Sequence, residues 1–175
     1  NDGTQISVTA TKRTAVAKFK FGASDKGTVI IGSGINSTKV NDAFVTNTSL
    51  KSCEGYAAGG DFCGTNTNYP VFFYVEFDRP SLGFKVWKKN RIISKRSADG
   101  PNSGTIFTFD TSKNKEVNYR ISISFVSIEN AKMNMKSEDV GFNFQSYLSR
   151  NQASWNEKLS TILISSDDKD SLIQF

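Results

Sequence analysis

The stretch "YPVFFYVEFDRP", residues 69 to 80, constrains this chain most. Side chains alternate with a period of two: Val71, Phe73, Val75 and Phe77 share one face, while Phe72, Tyr74, Glu76 and Asp78 share the other. Such alternation requires a strand with one buried face, and Pro70 and Pro80 bracket it where missing amide donors are tolerated. The same period recurs in Ile6, Val8 and Ala10, in Ala17, Phe19 and Phe21, and in "GFKVW", "TIFTF" and "VNYRISISF". "GTVIIGSG" (27 to 34) reads as a short central strand, and "DAFVTNTSLKS" as a weaker strand or pair. Short strands separated by Gly, Asn, Asp and Ser turns predict antiparallel sheets packed face to face.

After Phe125 the period changes to that of a helix. Ser127 is placed to cap it, Glu129 complements the helix dipole in the first turn, and Ile128, Ala131 and Met135 recur at helical spacing. A second helix follows "GFN": Asn143 caps it, Phe142 and Tyr147 suit a hydrophobic staple, and Phe144, Leu148, Trp155 and Leu159 form one apolar stripe. Trp155 on that stripe is expected in the core. "TILIS" (161 to 165) reads as extended, and "SSDDKDSLIQF" begins a third helix. The fold expected is mainly β, an antiparallel β-sandwich over 1–126 followed by a helical linker over 127–175. The opening "NDGTQ" has no initiator Met or signal pattern and "DKDSLIQF" stops within a helical pattern, so a longer parent chain is expected.

Composition narrows the chemistry. With 175 residues, 14 of them Phe, a real core is expected. The sequence contains no histidine, which removes Ser-His triads, Cys-His pairs and imidazole metal sites from this segment. A net charge of +5 suggests nucleic acid, but only "KVWKKNRIISKR" (85 to 96) is dense in cations, and elsewhere Lys and Arg alternate with apolar residues. Neither a nucleic-acid partner nor a membrane span is expected, since no apolar run is long enough to cross a bilayer.

Several residues are candidates for function. "SCEGYAAGGDFCGTNTNYP" (52 to 70) reads as a long glycine-bearing recognition loop, or as an ordinary hairpin connection with Phe62 turned into the core. Cys53 and Cys63 are open to two states, a disulfide in an oxidising compartment or two buried thiols, and they make no zinc site. Trp87 ends a strand beside lysines, where an exposed indole can stack on a sugar, or the ring packs in the core or an interface. Glu76, Asp78, Asp110, Glu129, Glu138 and Asp139 form no evident acid/base couple and read as solvated carboxylates. Asn36 and Asn47 match the glycosylation acceptor pattern.

These stretches together resemble the N-terminal domain of glycoside hydrolase family 92, the calcium-dependent exo-acting α-mannosidases. "ISVTATKRTAVAKFKF" resembles that family's first strand pair, "IIGSGIN" its next strand, "GGDFCG" a loop of many members, and "YPVFFYVEFDRP" with Trp87 its "FDrPF…W" segment. Most specific is "ISFVSIENAKMNM…FNFQSYLSRNQASWNEKLSTI", so the resemblance runs in order through almost the whole chain.

The resemblance implies a non-catalytic sandwich, with its earliest strands absent, joined by the helical linker to a catalytic (α/α) barrel of the same polypeptide. That barrel carries the acid, the base and most calcium contacts of an inverting hydrolysis. It further implies a secreted or periplasmic α-1,2-type enzyme acting on mannose-containing glycan, with no catalytic or metal residue in this chain. Asp61, Phe62, Cys63 and Gly64 become substrate-pocket candidates. Trp87 joins them, although the chain has "KVW" where members often have Gly-Thr-Trp. The alternative reading is a stand-alone carbohydrate-binding sandwich module, and a third is a purely structural sandwich.

Overall fold

The computed structural model describes residues 3–32, 39–139 and 141–174, with the Phe62 side chain excepted. Eleven strands are described. The first five are β1 (Gln5–Ala10), β2 (Thr14–Lys20), β3 (Lys26–Gly32), β4 (Val40–Ser49) and β5 (Ser52–Gly60). The others are β6 (Asn68–Phe77), β7 (Gly83–Lys88), β8 (Arg91–Ile93), β9 (Ser97–Asp99), β10 (Ser103–Asp110) and β11 (Glu116–Ser124). Three helices follow, α1 (Ile128–Ser137), α2 (Phe144–Leu159) and α3 (Lys169–Gln174). All strand pairs are antiparallel, in one sheet ordered β1-β2-β11-β6-β5-β4-β9 and a second ordered β3-β10-β7-β8. The chain is therefore the predicted sandwich with a helical C-terminal part.

The alternation in β6 does what the sequence requires. Phe73, Val75 and Phe77 enter the core, and Phe77 meets Phe107 and Phe109 of the facing sheet with ring centroids 4.9 Å apart. Tilted ring pairs at this spacing place positive edges against negative faces and add to the burial of apolar area. Pro70 lies beyond Phe72, the last β6 residue paired with β11, so its missing amide proton costs that ladder little. One polar tie crosses the core: the Thr105 hydroxyl donates to Asn47 Oδ1 at 2.9 Å, and Asn47 Nδ2 donates to the Arg96 carbonyl. Asn47 is thus buried and committed, which removes it as a glycan acceptor in the folded chain. Asn36 lies outside the described residues.

Four local expectations change. β3 is an edge strand of the smaller sheet, not a central one, and its buried positions alternate so that Ile30 faces solvent. Most of the supposed loop at 52–70 is strand: β5 runs to Gly60 and β6 begins at Asn68. Residues 161–165 form no strand. Trp155 is 63% exposed rather than core. The caps are as the sequence dictates, with Ser127 accepting from the Asn130 amide and Asn143 from the Ser146 amide.

α1 lies on the outer face of the large sheet, burying Ala131 and Met135, and Ser122 Oγ donates to the Ala131 carbonyl. The first half of α2 packs on β1 and β2 and buries Tyr147 completely. From Gln152 to Gln174 every residue is exposed.

Candidate functional site

The candidate pocket residues sit in the turn that joins β5 to β6. The two strands stay in register up to Gly60 opposite Asn68, where the close approach of Thr67 leaves no room for a side chain. A Cβ on Gly60 would lie 2.2 Å from the Thr67 carbonyl oxygen. The Asp61 amide then donates to the Thr67 carbonyl at 2.7 Å, and the Asn66 amide donates to Asp61 Oδ1 at 3.1 Å. Left-handed backbone at Asp61, Cys63, Gly64 and Asn66 turns the chain, with φ between 52° and 73°. Asp and Asn adopt this conformation readily, but a Cys there is uncommon, and such positions concentrate where backbone is held for function.

Asp61, Cys63 and Gly64 are all exposed in this turn, and the Phe62 side chain lies outside the described residues. Next to the turn, Tyr69 at the start of β6 and Phe125 just past β11 form a ring pair 5.9 Å apart, with Phe125 65% exposed. Sequence reading missed this pair. Its signal was present, because Phe125 continues the alternation of Ile121 and Ile123 by one residue. The turn thus presents one carboxylate oxygen outside the Asn66 bond beside the Tyr69 and Phe125 rings.

Trp87 is not gathered there. It stands on β7 in the other sheet, its ring laid over Gly104, where a Cβ would come within 2.7 Å of Trp87 Cε2 and Cζ2. Half-buried, it fills the space of the missing side chain. The two cysteines are free, and neither open state for them holds. Cys53 is fully buried at the far end of β5 while Cys63 is exposed in the turn, and the extended strand between them spans about 20 Å. Burial, with Glu54 adding to it, pushes the Cys53 thiol far up, so it stays protonated.

Of the carboxylates read as solvated, Asp110 and Glu129 are exposed as read, while Glu76, Glu138 and Asp139 hold structure. Arg120 on β11 is buried and donates to Glu76 Oε2 at 2.6 Å, to Asp139 Oδ1 and to the Gly141 carbonyl. The Phe142 ring lies 4.4 Å from its guanidinium. Burial alone would lower the Arg120 pKa, but Glu76 and Asp139 raise it. Glu138, read from sequence as a solvated carboxylate, is 9% exposed. It accepts from Thr11 Oγ1, the Arg13 amide and Arg13 Nε, and Arg150 Nη1 donates to its carbonyl at 3.1 Å. Burial pushes the Glu138 carboxyl up, yet the bonds from Thr11 and Arg13 hold it below its ordinary value. Beside this joint lies a cleft of about 520 Å³ between the β1–β2 turn and α2, lined among others by Lys12, Arg13, Arg150 and Trp155.

Among the described residues no three His, Cys, Asp or Glu side chains come together to hold a metal. No helix among them is long and apolar enough to cross a membrane.

Comparison with known proteins places this geometry. The glycosyl hydrolase family 92 N-terminal domain matches residues 1–124. No curated protein sequence matches the chain. Among solved structures, the GH92 family glycosyl hydrolase ccman5 superposes with a TM-score of 0.84 at 22% identity over 94% of this chain. A family GH92 α-mannosidase from Bacteroides thetaiotaomicron gives 0.83 at 22% identity over 94%. A family GH92 inverting mannosidase from the same species gives 0.83 at 19% identity over 96%. At these identities the likeness shows the fold, and this chain spans only 22%, 23% and 22% of their respective lengths. The match over residues 1–124, within a sandwich of this topology, shows that the chain belongs to glycosyl hydrolase family 92 through its N-terminal domain.

Proposed function

We propose that this chain is the non-catalytic N-terminal domain of an exo-acting, calcium-dependent α-mannosidase that is secreted or periplasmic and of α-1,2 type. Its helical tail packs on a catalytic (α/α) barrel that follows in the same polypeptide, and the Asp61–Gly64 turn forms part of the mannose pocket. The observation that carries this reading is the family 92 match together with a tail left bare from Gln152 to Gln174. Leu159, Ile162, Leu163 and Ile173 are exposed in this tail, and a second domain would cover them. In support of the pocket role, the turn holds left-handed Cys63 beside the Tyr69–Phe125 pair.

In this reading the chain supplies positioning and sugar contact. Backbone donors of the turn and the Asp61 carboxylate address sugar hydroxyls, and the Tyr69 and Phe125 rings give an apolar surface for a pyranose face. The acid, the base and calcium belong to the following domain, where calcium would assist distortion of the sugar ring.

The test is mannose release from α-1,2-mannobiose by the full polypeptide encoded by the gene and by the 175-residue chain. The full polypeptide is expected to release mannose, to lose activity with a chelator and to regain it with calcium, while the chain alone releases none. A stop codon after Phe175, or saturable mannobiose binding by the chain with no hydrolysis by any longer product, would instead establish the stand-alone binding module.

A further inference from the structure

The cleft between the β1–β2 turn and α2 has a one-sided chemistry. Glu138 is its carboxylate, and both oxygens already accept from Thr11 and Arg13. Around it stand three exposed cations, Lys12, Arg13 and Arg150, and the exposed indole of Trp155, with Ser137, Asn151 and Ser154 also in the lining. Lys12, Arg13 and Arg150 against Glu138 leave two positive charges around a cavity of about 520 Å³. That surplus of exposed cations favours an anion at the cleft by charge complementarity, and a guanidinium meets a carboxylate through paired, charge-assisted hydrogen bonds.

The cleft also opens onto an apolar path. Trp155 on its rim is 63% exposed, and along the chain from it Leu159, Ile162 and Leu163 are 67%, 64% and 84% exposed. Trp155 thus joins the charged cleft to the helix that carries exposed Leu159, as in an interface with an apolar centre and a charged anchor. The solved relatives extend to more than four times this chain's length, and a parent protein of their size would have ample polypeptide to cover both.

We propose that this cleft receives a carboxylate side chain of the domain that follows in the same polypeptide, with Trp155 and Leu159 buried beside it. The inference rests on the two-domain reading above and adds the chemistry of the contact: an Asp or Glu on the partner domain, chelated by Arg13 and Arg150. Such a pair fixes the orientation of one domain on the other more than it adds affinity, because a charge in the wrong register stays unpaired.

Hydroxyl-radical footprinting read by mass spectrometry on the Trp155 peptide tests it, comparing the 175-residue chain with the full polypeptide. Oxidation of Trp155 is expected to fall at least tenfold in the full polypeptide. Lys12→Glu with Arg150→Glu should restore at least half of the rate seen in the short chain. Lys12→Glu alone, at a side chain without a partner here, should raise the rate two- to threefold without touching the fold. Two results overturn the proposal while leaving the mannosidase reading intact: an active full polypeptide in which Trp155 is as reactive as in the short chain, or protection unchanged by both charge reversals. Absence of any following domain overturns both together.

Discussion

At the scale of single residues, the most consequential side chain is Arg120. It is 7% exposed, yet it carries a full charge that two carboxylates from different elements neutralise, Glu76 on β6 and Asp139 between α1 and α2. Its planar fork serves both at once, which a lysine cannot imitate. Arg120→Ala leaves two carboxylates facing each other across the space of the lost side chain, and Phe142 loses the cation it covers. Breaking a buried pair from one side costs about 3–5 kcal/mol, and partial exposure of Asp139 favours the lower end. Chemical denaturation should therefore show a loss of about 3 kcal/mol for Arg120→Ala, and Arg120→Lys should recover less than half of it. A loss below about 1 kcal/mol would mean that the network holds nothing in place.

At the scale of elements, α1 and α2 are fastened to the sheet at the Glu138 joint, and that joint titrates. Hydrogen bonds from Thr11 and Arg13 outweigh burial and depress the folded pKa of Glu138 below its ordinary 4.5. The unfolded chain binds that proton more readily than the folded one, so stability falls as the proton is taken up. The contribution is fully present above about pH 4.5 and disappears as pH drops through the folded value. Because Arg13 is half exposed, the ion pair is partly screened, and Glu138→Gln should cost only about 1–2 kcal/mol at pH 7. Urea melts of both proteins should converge as pH falls through the folded value, and a pH-independent difference would remove Glu138 from this role. Nothing in the local sequence marks this joint, since Thr11 and Arg13 lie 127 and 125 residues from Glu138. Strands and caps were legible because period-two patterns and an N-cap Ser or Asn are local physics, seen in β6 and at Ser127 and Asn143. The turn residues Asp61, Cys63 and Gly64 were legible as candidates through resemblance alone. That Trp87 would lie over Gly104, away from them, depends on a strand register that pattern does not determine.

For the molecule as a whole, the change of period at Ser127 does not end the packed unit. Ser122 and Ser124, buried on the outer face of β11, lie beside α1, Arg120 on the same face is held by Asp139 and Phe142 of the α1–α2 connection, and Tyr147 is sealed by the first half of α2 on β1 and β2. Removing everything after Val126 uncovers these polar groups and deletes Ala131, Met135 and Tyr147 from the interior. Full burial of a large apolar side chain is worth about 1.5–3 kcal/mol, so Met135 and Tyr147 with the lost bonds of Arg120 and Ser122 amount to 5 kcal/mol or more, in order of magnitude. That is comparable to the whole stability of an ordinary domain. A chain of residues 1–126 should therefore show no cooperative thermal transition. Residues 1–152 should melt within a few degrees of the 175-residue chain, because every side chain removed among the described residues is already exposed. The same cut separates folding from association. With Trp155, Leu159 and Leu163 in solvent, the 175-residue chain should self-associate at tens of micromolar, whereas 1–152 should sediment as a monomer. If 1–126 folds cooperatively, the helices are mere connection. If it does not while 1–152 does, the sandwich is completed by its first one and a half helices, and only the rest is free to meet another domain.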